Sequence, residues 1–63
     1  MLILSELMPS DVGRGVVYAP SHGPREDGAI TSWNDTYIFV LYRGSTTSKA
    51  TRPEDLEWLR ESP

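Results

Sequence analysis

Apolar positions along this chain fall into short runs separated by Gly- and Pro-rich turns. The longest run, Tyr37-Ile38-Phe39-Val40-Leu41-Tyr42, contains no charged or small polar residue. An apolar run without alternation predicts a strand covered on both faces. Its core side is expected to be Ile38, Val40 and Tyr42. Tyr37, Phe39 and Leu41 then form a second face, to be covered by the chain termini or by a partner. Ala29 to Trp33 predicts the preceding strand, with Ile30 and Ser32 on one side and Ala29, Thr31 and Trp33 on the other. Asn34-Asp35 between the two strands is expected to form a tight hairpin turn, because both residues tolerate positive φ.

The flanking segments fit the same pattern. Gly15 to Ala19 predicts the first strand, Val16 and Tyr18 facing one way and Val17 and Ala19 the other. Leu2 to Met8 reads as a brief strand or one helical turn. Pro9 to Gly13 reads as a tight turn ending on Gly13 at positive φ, and is expected to tuck Leu7 and Val12 under the core. Pro20 to Gly28 is turn chemistry throughout and predicts a long loop, a common location for binding residues. Gly44 to Ser48 is a small polar turn, and Lys49 to Thr51 a brief fourth strand. Thr51 to Glu54 has the spacing of a capping box. Pro53 suits a first turn, and Glu54 and Asp55 suit the positive end of a helix dipole. One 3-10 or α turn is therefore expected over Pro53–Leu56. A short strand or helical tail should follow through Leu59, with Leu56 and Leu59 as anchors. The fold class is all-β: a small SH3-like barrel of four to five strands, with one short 3-10 or α turn near the C-terminus, in a single domain spanning 1–63. An oligonucleotide-binding barrel would need a longer helix between its third and fourth strands.

Composition narrows how such a chain is stabilised. A 63-residue domain buries only about 60% of its unfolded surface, and domains this small usually need a staple. There is no cysteine, which removes disulfides and thiolate zinc sites. His22 is the one imidazole, so no structural metal is expected. Packing or self-association remains, and a homo-oligomer is an expected state. The net charge of −3 argues against sequence-independent nucleic-acid binding, which works through released counterions. Arg43, Lys49 and Arg52 could still cluster in space. No apolar stretch approaches the ~20 residues of a membrane span. The opening Met1-Leu2-Ile3-Leu4 is too short for a signal-peptide core and has no basic flank. The expectation is a soluble cytoplasmic protein with no membrane partner.

Candidate chemistry is sparse. His22 lies in a Ser-His-Gly loop without the positioned partner that acid–base or nucleophilic catalysis requires. The carboxylates do not match a calcium-loop pattern, and Glu54, Glu57 and Glu61 read as a solvated face at helical spacing. No catalytic, cofactor or metal residue is assigned, and an enzyme is not expected. The aromatic set Tyr18, Trp33, Tyr37, Phe39 and Tyr42 serves first as core bulk. Exposed members would act as anchors for a partner, and a cage for a methylated lysine would need three rings around one cation. Trp33-Asn34-Asp35 reads either as a turn braced by Trp33 or as a tip presenting Trp and an Asn amide. The residues expected to bind a protein partner are Trp33, Asn34, Tyr37, Phe39 and Leu41.

Four short signatures stand together in this chain: Asp11-Val12-Gly13-Arg14, Ser32-Trp33-Asn34, Val40-x-Tyr42 and Arg52-Pro53-Glu54-Asp55-Leu56. As a set they resemble small phage- or prophage-encoded proteins of unknown function, from Pro9 to Trp58. The resemblance implies an SH3-like barrel and a phage context in the bacterial host cytoplasm, and it carries no catalytic residues. The leading expectation is a non-enzymatic protein-interaction module of phage or prophage origin. One alternative is a small acidic phage inhibitor of a host defence or nucleic-acid enzyme, competing for a basic groove by charge. Another is a nucleic-acid-binding barrel using Arg43, Lys49 and Arg52.

Overall fold

Ile38, Val40 and Tyr42 point into a single core in the computed structural model, which describes residues 1–59. Five strands build that core: β1 (Gly15–Tyr18), β2 (Glu26–Trp33), β3 (Ile38–Tyr42), β4 (Lys49–Thr51) and β5 (Leu56–Trp58). They form one antiparallel sheet in the order β4-β3-β2-β1-β5. Among the described residues no ladder joins β4 to β5, so the sheet stays open there. Single 3-10 turns occupy Leu4–Glu6, Pro9–Asp11 and Pro53–Asp55.

Period-2 alternation sends one side of each strand inward. Val16, Ile30, Ile38, Val40 and Leu56 are fully buried, and Leu2 and Tyr42 complete the core. Each fully buried aliphatic side chain contributes roughly 1.5–3 kcal/mol. Tyr18, Trp33 and Trp58 pack against this cluster. Gly28 is the inward residue of β2 between Val16 of β1 and Tyr42 of β3. A Cβ there would lie 2.6 Å from the Leu41 carbonyl oxygen, 2.8 Å from Val40 Cγ1 and 2.9 Å from Tyr42 Cα. The absence of a side chain lets β2 and β3 approach at the point where the sheet curls over its core.

The β2–β3 pairing contains a bulge. Ile30 pairs with Val40, but Ser32 pairs with Phe39, so Thr31 is an extra residue. Such an insertion breaks strict alternation. Trp33 therefore pairs with inward Ile38 and packs on the core, on the same side as Ile30. The expected grouping of Trp33 with Ala29 and Thr31 fails for this reason. Thr31 Oγ1 donates to the Phe39 carbonyl at 3.1 Å, and its oxygen lies 2.7 Å from Ser48 Oγ. A hydroxyl has one proton, so Ser48 donates to Thr31 and ties the β3–β4 turn to the bulge.

Other local expectations are corrected by specific contacts. The hairpin between β2 and β3 uses no positive φ at Asn34 or Asp35. Instead Asn34 Oδ1 accepts the Thr36 and Tyr37 N–H groups at 2.8 and 2.7 Å, and Asn34 N donates to Tyr37 O at 2.9 Å. This side-chain turn replaces the tight turn and delays β3 to Ile38. The long loop contracts, because Glu26, Asp27 and Gly28 pair with Tyr18, Val17 and Val16. Their charges are tolerated at an exposed sheet end. The Thr51 capping box does not form: Arg52 precedes the 3-10 turn without a side-chain cap, and the Thr51 hydroxyl is engaged elsewhere. Glu57 lies in β5 rather than on a helix, and Glu61 falls outside the described residues.

At the N-terminus Leu2 is buried, its N–H donating to the Pro53 carbonyl at 3.0 Å. Leu4 and Leu7 pack on the core. Val12, expected beneath it, is 51% exposed. Gly13 does take positive φ, and its N–H donates to Ile30 O at 2.7 Å. Leu56 is buried as expected, whereas Leu59 remains 40% exposed while covering Gly15.

The close approach at Gly28 is directly measurable. Gly28→Ala is expected to lower stability by about 1–3 kcal/mol in urea unfolding, as overpacking does. A change below about 0.5 kcal/mol, typical of unconstrained surface positions, would contradict the approach.

Candidate functional site

The outward side of β3 leaves apolar side chains partly uncovered. Phe39 is half-buried and Leu41 is 38% exposed, while inward Val40 between them is sealed. Phe39 lies opposite Ala50 of β4, and Leu41 opposite Ala29 of β2. Ala29 in turn pairs with Gly15 of β1, over which Leu59 folds. Small residues thus flank the two large ones, with Ser32 of β2 opposite Phe39 as a polar member of the face. Among the described residues, the covering by chain termini expected for this face reaches its Gly15 end, through Leu59.

Of the five residues expected to bind a partner, Phe39 and Leu41 share this face. Tyr37 precedes β3 in the hairpin loop and is 39% exposed. Trp33 is drawn inward by the bulge and is half-buried against the core. Asn34 is exposed, but its amide oxygen holds the hairpin together. The hairpin tip is therefore a braced turn.

The basic residues are largely matched. Arg43 meets Asp27 at 2.8 Å. Arg52 meets Glu54 at 3.2 Å and Asp55 at 3.6 Å. Lys49 is exposed, with no ion pair among the described residues. Lys49 and Arg52 line one concavity, and Arg43 does not belong to it. His22 is exposed in its loop.

The chain matches no family model, no curated protein and no solved structure. Its sites therefore stand on its own geometry.

Three arrangements were not anticipated from the sequence. Arg14 stacks on Trp58, its guanidinium carbon 3.9 Å from the ring centroid. Asp11 holds that guanidinium at 3.3 Å and accepts the Met8 N–H at 2.9 Å. The Asp11-x-x-Arg14 spacing thus clamps the N-terminal turn to β5. Met1, Ile3, Met8 and Val12 form an exposed apolar set that hydrophobicity alone could not separate from buried Leu2.

The third arrangement is a concavity of about 350 Å³, lined among others by Tyr18, Glu26, Tyr42, Thr51 and Asp55. Tyr18 and Tyr42 meet edge to face, with centroids 6.2 Å apart and planes at 68°. Tyr42 Oη lies 2.7 Å from Thr51 Oγ1 in a buried hydrogen bond. Thr51 Oγ1 also lies 3.4 Å from the Lys49 carbonyl. Burial raises the Tyr42 pKa above the ordinary 10.0; the Thr51 bond offsets part of this, and Glu26 and Tyr18 add to it. Alternation in β1 and β3 placed both tyrosines inward, but only the register brings them together.

Tyr42→Phe is expected to cost about 1–2 kcal/mol at neutral pH, since Thr51 loses its close partner. The folded state holds the Tyr42 proton more tightly than the unfolded chain. This contribution is therefore intact below pH 10.0 and is lost as pH rises beyond it. Urea unfolding across pH 9–11 should show a shallower alkaline loss in Tyr42→Phe than in the parent; equal slopes would exclude this role.

Proposed function

We propose that the chain is a non-enzymatic protein-interaction module with an SH3-like arrangement, encoded by a phage or prophage. The order β4-β3-β2-β1-β5, with a 3-10 turn between β4 and β5, supports the architectural part. The context rests on the resemblance of the four signatures to those of small phage-encoded proteins. The observation that carries the function is the outward side of β3. Phe39 and Leu41 present apolar surface beside Ala29 and Ala50, where a solvated sheet face would normally alternate to polar residues. Large apolar side chains among small neighbours suit a flat partner surface, and a few such anchors carry most of an interface's energy.

The carboxylate pairing of Arg43 and Arg52 favours this reading over nucleic-acid binding. An acidic inhibitor of a host enzyme remains a special case of protein binding, and its partner would carry a basic groove.

A photo-crosslinking residue placed at Leu41 tests the proposal in bacterial host cells. One protein should be captured at position 41 and not at Thr47, an exposed polar turn residue. Phe39→Glu should reduce that capture by about tenfold, the loss a central anchor carries. Equal labelling at both positions, or none at position 41, would overturn it. Capture of a second copy alone would turn the face into a self-association surface and refute a foreign partner.

A further inference from the structure

The chain already contains one complete arginine-binding arrangement of its own. Arg14 lies over Trp58 while Asp11 holds its guanidinium. The ring supplies a negative face, the carboxylate supplies charge, and the planar cation satisfies both. The Tyr18–Tyr42 concavity supplies the first two components again. Tyr18 is half-exposed and its ring meets that of buried Tyr42 at 68°, so the two rings form an angled wall of this notch. Tyr42 cannot swing away, because its hydroxyl is fixed to Thr51. Glu26 lines the same concavity. Among the described residues, none of the ion pairs involves Glu26.

We propose that this notch binds an arginine side chain of a protein partner, stacked on Tyr18 and paired with Glu26. The site is separate from the outward face of β3, and either can fail without the other. Two cations also line the concavity and must be accounted for. Arg52 is matched locally by Glu54 and Asp55. Lys49 is not matched and opposes the incoming charge, so its removal should strengthen binding. Arginine is favoured over lysine because a planar guanidinium can stack on the ring and keep its donors on the carboxylate. The volume of about 350 Å³ admits one long side chain and its backbone.

The test is an amide-resolved NMR titration of the full chain with N-acetylarginine amide, alongside the neutral isostere N-acetylcitrulline amide. Saturable shifts should centre on Tyr18, Glu26, Tyr42 and Thr51 with the arginine probe and be absent with citrulline. Glu26→Gln, at an exposed position, should weaken binding about three- to fivefold, in the range of an exposed cation–π and ion-pair contact. Lys49→Gln should tighten it by a similar factor. Unsaturable shifts, equal response to citrulline, or unchanged affinity in Glu26→Gln with the remaining spectrum intact would overturn the proposal. Weaker binding in Lys49→Gln would also overturn it, by placing the ligand on the opposite charge.

Discussion

A strand with no polar residue in a domain with one core is the constraint on which this structure depends. From Ile38 to Tyr42 every side chain seeks burial, yet the chain has material for one inward layer. The register resolves the conflict in favour of Ile38, Val40 and Tyr42. These three meet Val16, Ile30 and Leu56 and seal the interior. Phe39 and Leu41 are left on the outside, beside Ala29, Ala50 and polar Ser32.

Several local features serve that resolution. Gly28 lets β2 close on β3 where any side chain would collide. Thr31 adds a residue to β2, turning Trp33 inward against Ile38 without disturbing the register at Ile30. The Thr31 and Ser48 hydroxyls then tie the bulge to the neighbouring turn. Asn34 closes the hairpin through its side chain, avoiding positive φ. Tyr42, the last inward residue of β3, couples core to concavity because its hydroxyl holds Thr51.

Much of the fold was legible because period-2 patterning is a local signal. The inward set of β3, the shared face of Val16 and Tyr18, the fourth strand and the late 3-10 turn follow from residue type and spacing. The failures are non-local. Thr31 looks like an ordinary strand residue until its partner strand is placed, so the reversed direction of Trp33 was hidden. Thr51 has the right spacing for a helix cap, but a buried tyrosine across the sheet claims its hydroxyl. Of the candidate site, Phe39 and Leu41 were legible as a second face. The Tyr18–Tyr42–Glu26 grouping was not, because it joins the last residues of β1 and β3 to the first residue of β2.

Among the described residues, one face of β3 is buried and the other is left open. Solvent paramagnetic relaxation of side-chain methyl protons, measured at low protein concentration with a neutral soluble probe, tests it most directly. Strong relaxation is expected at Leu41, and protection at Val40 and Ile38, whose side chains are fully buried. Protection at Leu41 equal to that at Val40 would mean that the chain covers both faces itself, and would contradict an open outer face.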